Sequence, residues 1–473
     1  MWIGKGEFYT KGEPREASVA VSMIERGQWI LPEVYAGERA YKPPFTHWLT
    51  AVFSLPQGKV LPFTSRLPSA LAFTCMIIVV FWFFRKYYQK EVAFLTCLIM
   101  MTCFELHRAA MTSRVDMTLT SLTVIALVML FRWEKRKLSG FPLWAVLAMG
   151  CAALTKGPVG IILPMLVSGI YLIVLRYNLL RIILKLLPVA VISFVLPLIW
   201  YFLAYLEGGK PFLDIVWAEN FGRFLGQKDL SINYALGHEE GWWYNFLTLA
   251  GGFFPWTALI LVGIAGLRNV KNFLNYSKES LRRIISNRPL LFSMIAALVI
   301  IGFYCIPVSK RSVYLMPAYP FIAVFVAKYI LYLKSRKTWL RHIYPITAAY
   351  IVLWIAIDAI ALPAYKNSIS QKPFAEYLKK KYTTLKENVY AMNNLLEYSN
   401  MYGLNFYLDN SFRDFEKKRC DEGYLIIGSE SFKRVNEKYG TEYRFQEMER
   451  YDNKCRDGEK KILLLYFKKH NVE

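Results

Sequence analysis

The chain has 473 residues, 55% of them apolar and 16% aromatic, with a formal net charge of +23. Runs of roughly 17–22 mostly apolar residues recur from about residue 67 to 362, each long enough to cross a hydrocarbon core of ~30 Å as a helix. Such runs exclude an ordinary soluble globule. They make the positive charge a matter of topology-setting loops and anionic lipid head groups, not of nucleic acid.

In chain order, residues 1–66 come first and are polar and rich in aromatics. Glu13-Pro14-Arg15-Glu16 precedes an amphipathic stretch, Ala17–Arg26, that Gly27 is expected to end. Trp29-Ile30-Leu31-Pro32 and Tyr41-Lys42-Pro43-Pro44-Phe45-Thr46-His47-Trp48 follow, fitting helices that lie on a membrane surface. Ten spans are then expected, at about 68–84, 92–109, 115–131, 142–155, 159–175, 184–205, 246–267, 290–306, 314–333 and 343–362. Lipid forbids unpaired backbone groups, so these runs must be helices. The fourth is the weakest, since Lys156-Gly157-Pro158 interrupts it. Residues 363–473 differ in kind. Asn388–Met392, Gly423–Gly428 and Lys461–Phe467 read as strands, and Phe374–Lys386 and Ser429–Tyr439 as helices. The expected fold is therefore an all-α polytopic membrane protein of about ten helices with a small C-terminal α/β domain outside the cytoplasm. Its expected boundaries are 1–66, 67–362 and 363–473.

Every second loop is basic. Arg85, Lys86 and Lys90 mark the first, Arg132 to Lys137 the second, and Arg176, Arg181 and Lys185 the third. The fourth carries Arg268 to Arg288, and the fifth Lys334 to Arg341. With ten spans all five fall on one side, which the positive-inside trend makes cytoplasmic. Residues 1–66, the 206–245 loop and the tail are then expected outside, the periplasm of a Gram-negative cell. An external start without a preceding span leads us to expect a missing first helix. Five cysteines lie in apolar spans as packing residues. Cys420 and Cys455 lie in the tail, where an oxidising compartment allows a disulfide.

A charged side chain at membrane depth costs roughly 2.5–3.5 kcal/mol and calls for a function or a partner. Asp116, at the mouth of the third span, is the clearest case; its bland alternative is helix-dipole compensation or a salt bridge to Arg114. Glu13 and Glu16 have the bland alternative of helix capping. His238, beside Glu239 and Glu240, can be a base, a metal ligand or a packing residue. Lys156, Lys310 and Arg311 place positive charge at external mouths, against the usual trend, and suit a bound phosphate. Carboxylates and exceptional cations on one face suggest a site for an anionic, lipid-linked substrate.

The order of these motifs resembles the ArnT-like and protein-O-mannosyltransferase-like glycosyltransferases of the GT-C fold. The resemblance rests on Arg15-Glu16-Ala17 through Leu31-Pro32, on Tyr41-Lys42-Pro43-Pro44 with Trp48-Leu49, and on Ser65-Arg66-Leu67-Pro68-Ser69. It continues through Ser113-Arg114-Val115-Asp116-Met117 and Leu154-Thr155-Lys156-Gly157-Pro158. It ends with Glu219-Asn220-Phe221, Arg223-Phe224, Gly252-Phe253-Phe254-Pro255-Trp256 and Lys310–Pro320. The resemblance implies an inverting transfer of a sugar from a polyprenyl-phosphate donor to a lipid or glycan acceptor, in contact with membrane lipids. It implies catalytic roles for Asp116 and, in place of the usual Asp-Glu pair, for Glu13 beside Gly12. It implies donor-phosphate or substrate contacts from Arg15, Lys42, Arg66, Lys156, His238, Lys310 and Arg311. Tyr41 stands where the family has a metal-binding Glu. His238 is then the only matched ligand, and no firm metal site is assigned, though a divalent metal remains an option. A member that has lost activity and serves as a binding protein, or a transporter of lipid-linked sugars, are the alternatives.

Overall fold

The computed structural model describes residues 2–222, 239–265, 282, 284–334, 343–393, 398–418 and 420–470. His238 and Arg223 lie outside the described residues.

The first helix, α1 (Gly12–Arg26), begins five residues before the expected Ala17. Pro14 falls in its first turn, where the missing N–H costs nothing, and Glu13 complements the dipole. Gly27 ends it as expected, at φ 67°, donating its N–H to the Ser22 carbonyl. A short hairpin, β1 (Glu33–Tyr35) and β2 (Glu38–Arg39), leads to α2 (Phe45–Ser54).

Each of the ten apolar runs contains helix where described, with breaks at Cys103 and at Phe253–Pro255. They correspond to α3 (Pro62–Tyr87), α4 (Lys90–Thr102) with α5 (Phe104–Ala110), α6 (Val115–Lys135), α7 (Leu143–Lys156) and α8 (Val159–Val174). Next come α9 (Leu179–Trp217), the broken pair α10 (Tyr244–Gly252) and α11 (Trp256–Ala265), and α12 (Arg288–Cys305). The last are α13 (Tyr319–Lys334), which a 3-10 turn at Ser312–Ala318 leads into, α14 (Ile343–Ala356) and α15 (Leu362–Ile369). Six helices among the described residues are long and apolar enough to cross a membrane. The α4–α5 pair would add a seventh as one span bent by 68°, while α7 and α8, at 14 and 16 residues, are shorter. The bend at Cys103, whose backbone is extended, swings Glu105 and Arg108 towards the mouth of α6. Small residues (Ala126, Ala145 and Ala153) let α6 and α7 pack closely, which is how helices associate where lipid removes the hydrophobic drive.

Several of the basic loops meet at one end of the bundle. Glu134, at the end of α6, accepts from Tyr177 (3.2 Å) in the α8–α9 turn and pairs with Arg288 (3.1 Å) at the start of α12. Tyr88, after α3, donates to Asn287 at 2.6 Å.

The C-terminal region holds α16 (Lys372–Lys381), β3 (Val389–Ala391), α17 (Tyr402–Tyr407), β4 (Arg413–Asp414), β5 (Glu422–Gly428), α18 (Ser429–Tyr439), β6 (Tyr443–Asp452) and β7 (Lys461–Lys469). The sheet order is β4-β3-β5-β7-β6, with β4, β3 and β5 parallel and β7 antiparallel to both neighbours. The expected strands are present. The added β6 escaped notice because it is a charged strand at the sheet's edge, where polar side chains blunt further pairing. Helix α16 stops at Lys381, before the expected Lys386.

This sheet shares a core with residues 1–66. Phe8, Ala17, Val21 and Tyr35 pack with Leu404, Phe412 and Ile462, each large apolar side chain contributing roughly 1.5–3 kcal/mol. Polar ties reinforce it, such as Tyr402 to Glu38 at 2.7 Å and Asn410 to Ser22 at 2.6 Å. Cys420 and Cys455 do not pair. Cys455 donates to the Tyr9 carbonyl at 3.0 Å, and Cys420 lies 2.8 Å from the Tyr390 hydroxyl. The disulfide that the sequence allowed does not form here: the two thiols serve different contacts.

Candidate active site

At the other end of the bundle from Glu134, α1, α3, α6, α7 and the turn before α13 bring together most of the residues that the sequence singled out. They fall into two groups.

The first group is closed. Arg66, 1% exposed, gives Nε and Nη2 to the two Glu13 oxygens at 2.7 and 3.1 Å. Its Nη1 goes to the Ile3 and Gly6 carbonyls at 3.0 and 2.7 Å. Glu13 also accepts the Ser113 N–H at 3.0 Å, tying α1 to the start of α6. Burial alone would push the Glu13 carboxyl up, but Arg66 overrides it and holds the group below its usual range. The residue expected as an acid and the one expected as a phosphate ligand thus pair with each other. Lys310 is closed as well, with its ammonium on the Glu240 and Pro307 carbonyls at 3.0 and 2.7 Å. Arg15 pairs with Glu38 (2.8 Å), donates to the Tyr41 hydroxyl (3.1 Å) and lies against the rings of Tyr41 and Tyr402.

The second group is open. Asp116, in the first turn of α6, pairs with Lys156 at the end of α7, and not with Arg114. Arg114 precedes the helix in extended backbone, and residues two apart do not face each other. Lys156 also lies 4.4 Å over the Tyr314 ring, and the Arg311 charge reaches it. Lys42 is paired with Glu16, whose second oxygen is 2.8 Å from His47 Nε2. Burial would raise the Glu16 carboxyl, yet Lys42, His47 and Arg114 hold it well below the carboxylate range, so it stays ionised. The Lys42 and Arg114 charges reach both Glu16 and Asp116, which places the two carboxylates in one field.

The turn after Lys156 explains its sequence. Gly157 adopts φ 84°, and a Cβ there would lie 2.4 Å from the Asn220 side-chain oxygen. The Glu219-Asn220-Phe221 motif and Lys156-Gly157-Pro158 therefore close on each other. Sequence reasoning passed over His47, although it stands in the Lys42–Trp48 motif. It also passed over Glu105, buried and bonded to Arg108 (2.6 Å) and Ser312 (2.9 Å), because a carboxylate within an apolar run gives no sign of its partners.

Among the described residues no three of His, Cys, Asp and Glu come together. Tyr41 is turned to Arg15, and the Glu16–His47 pair already holds the Lys42 ammonium. These residues do not fit a divalent metal.

Residues 41–201 match the family described as dolichyl-phosphate-mannose-protein mannosyltransferase. An uncharacterised Aquifex aeolicus protein is 27% identical over 70% of this chain and 60% of its own length. The undecaprenyl phosphate-alpha-4-amino-4-deoxy-L-arabinose arabinosyl transferase of Enterobacter sp. (strain 638) is 24% identical over 67% of this chain and 54% of its own. The chain thus spans little more than half the length of these curated relatives. The crystal structure of ArnT from Cupriavidus metallidurans in the apo state covers 98% of this chain and 95% of its own, with a TM-score of 0.71 at 18% identity. The chain shares the fold of that ArnT. The same Cupriavidus protein bound to undecaprenyl phosphate superposes with a TM-score of 0.70. The ArnT-like architecture extends through both the bundle and the C-terminal sheet.

Proposed function

We propose that this protein is a polyprenyl-phosphate-dependent glycosyltransferase that moves a sugar to a lipid, lipid A-like or other envelope acceptor on the periplasmic face of a bacterial inner membrane. The observation that carries this is the cluster at the mouth of α6: Asp116 bound to Lys156, with Arg311 beside it. A relative named for an undecaprenyl-phosphate-linked sugar, and a solved structure of the same fold holding undecaprenyl phosphate, support the donor class.

In the reaction the acceptor hydroxyl attacks the anomeric carbon as the bond from that carbon to the phosphate oxygen breaks. Asp116 orients the hydroxyl and takes its proton. The polyprenyl phosphate leaves with the bonding pair, and Lys156 and Arg311 balance the charge that grows on it. Lys42, held by Glu16, adds a cation whose charge also reaches Asp116. Glu13 and Arg66 position α1 against α6 and take no part in proton transfer. Glu13, committed to Arg66, is the feature that favours a second reading, a protein that binds the lipid-linked sugar without turning it over.

A transfer assay with purified polyprenyl-phosphate sugars and envelope lipid decides between the two. Asp116-dependent release of polyprenyl phosphate is expected; donor binding without release for any sugar would establish the second reading. A label at residue 473 is expected to react with a membrane-impermeant reagent added from the periplasm, and protection there would overturn the orientation.

A further inference from the structure

The cations of the site differ in what they touch. Arg15, Lys42, Arg66 and Lys156 each hold a carboxylate, and Lys310 holds two carbonyls. Arg311 keeps a buried Nε without a partner among the described residues. Arg114 is the other exception: its guanidinium makes no hydrogen bond or ion pair with any described residue, and only its backbone is engaged, the N–H by the Thr112 carbonyl at 3.0 Å and the carbonyl by Ser69 at 3.1 Å.

The space for that guanidinium is made by Gly12. A Cβ at position 12 would lie 2.5 Å from the Arg114 Cζ and Nη2 and 2.8 Å from Nη1. The collision would involve the far end of a side chain and not backbone, so a larger residue would displace Arg114 without disturbing α1. Around it, Glu16 and Asp116 feel the Arg114 charge but already hold partners of their own: Lys42 and His47 for one, Lys156 for the other. Arg114 therefore adds a cation that no described residue in contact balances, within reach of Asp116.

We infer that Arg114, admitted by Gly12, binds a phosphate group of a lipid substrate. The planar guanidinium offers two parallel N–H donors to phosphate oxygens, and no described residue takes them. The phosphate comes from the polyprenyl donor or from the head group of a second lipid; in either case it bridges Arg114 to the field around Asp116. This inference uses the site described above but not its reaction.

Binding of three probes tests it: inorganic phosphate in detergent, and undecaprenyl phosphate or phosphatidic acid in phosphatidylcholine nanodiscs. Arg114→Ala is expected to weaken phosphate and at least one lipid by about tenfold, the size of a lost charge-assisted hydrogen bond. Arg114→Lys should recover part of the affinity. Gly12→Ala should produce a similar loss with an unchanged Tm, and the double variant should bind no worse than Arg114→Ala. Loss for undecaprenyl phosphate assigns the donor's phosphate; loss for phosphatidic acid alone assigns a second lipid. Affinities of Arg114→Ala within twofold of wild type for all three probes, or additive losses at 12 and 114, would overturn the inference. Wild type that binds phosphatidic acid through Arg114 but not undecaprenyl phosphate would sink the proposed donor and leave this inference standing. Wild type that binds none of the probes would sink both.

Discussion

Two neighbouring residues of α1 meet two arginines in opposite ways. Glu13 gives Arg66 both carboxylate oxygens in a buried pocket that two carbonyls complete. Gly12 gives Arg114 nothing but room. The chemistry of the two guanidinium groups is the same, and the difference lies in how many of their donors the protein itself uses. A saturated cation holds elements together, whereas one with idle donors beside a carboxylate pair is available to a ligand. The comparison also warns against assigning function from residue type: Arg66 is an arginine like Arg114, yet its donors already meet Glu13 and two carbonyls.

The largest expected effect falls on the closed pair. Arg66→Ala leaves Glu13 buried without its partner, which costs about 3–5 kcal/mol. Thermal unfolding should register this as a large drop in Tm. Should Arg66→Ala fold normally and lose only donor affinity, the division into closed and open cations would collapse. Next comes Asp116→Asn, expected to reduce transfer by about 10²–10⁴-fold while the Tm stays near wild type. Full turnover in that variant would remove the general base from the open group. Arg311→Ala should be milder, weakening polyprenyl phosphate binding by roughly tenfold, as titration of the lipid into nanodiscs would measure.

Asp457 sharpens the comparison from a third direction, as a buried carboxylate without an ion pair. Its Oδ2 accepts the Gly403 N–H at 2.5 Å and its Oδ1 has no hydrogen-bond partner among the described residues. Burial pushes it up to about 7 from 3.8. The folded state therefore keeps a proton that the unfolded chain releases, and stability falls as pH rises between 3.8 and about 7. Asp457→Asn should flatten that dependence and be the more stable protein at pH 8. Unfolding curves at pH 5 and pH 8 that run parallel for both proteins would show that Asp457 does not titrate in this window.

Much of this was legible before the fold. The apolar runs contain helices where described, Gly27 ends α1, and three expected strands lie in the C-terminal sheet. Asp116 and Lys156 stood out because charge at a helix mouth is costly without a partner. What stayed hidden was pairing. Glu13 and Arg66 are 53 residues apart in the chain, and Glu16 and His47 are 31 apart. Nothing in either local pattern says which carboxylate meets which cation. The bend at Cys103 was equally invisible, since the residues on both sides of it favour helix.

By itself, then, the order of residues determined that apolar helices fill the middle of the chain and that a strand-rich tail follows them. Each follows from local hydropathy and from backbone groups that must be satisfied within a segment. Only the tertiary structure decided that the tail and the first 66 residues share a core, that the tail's cysteines stay apart, and that Arg66 is closed while Arg114 is open. These depend on distances between elements far apart in sequence, where a single missing Cβ at residue 12 is enough to leave room for a guanidinium.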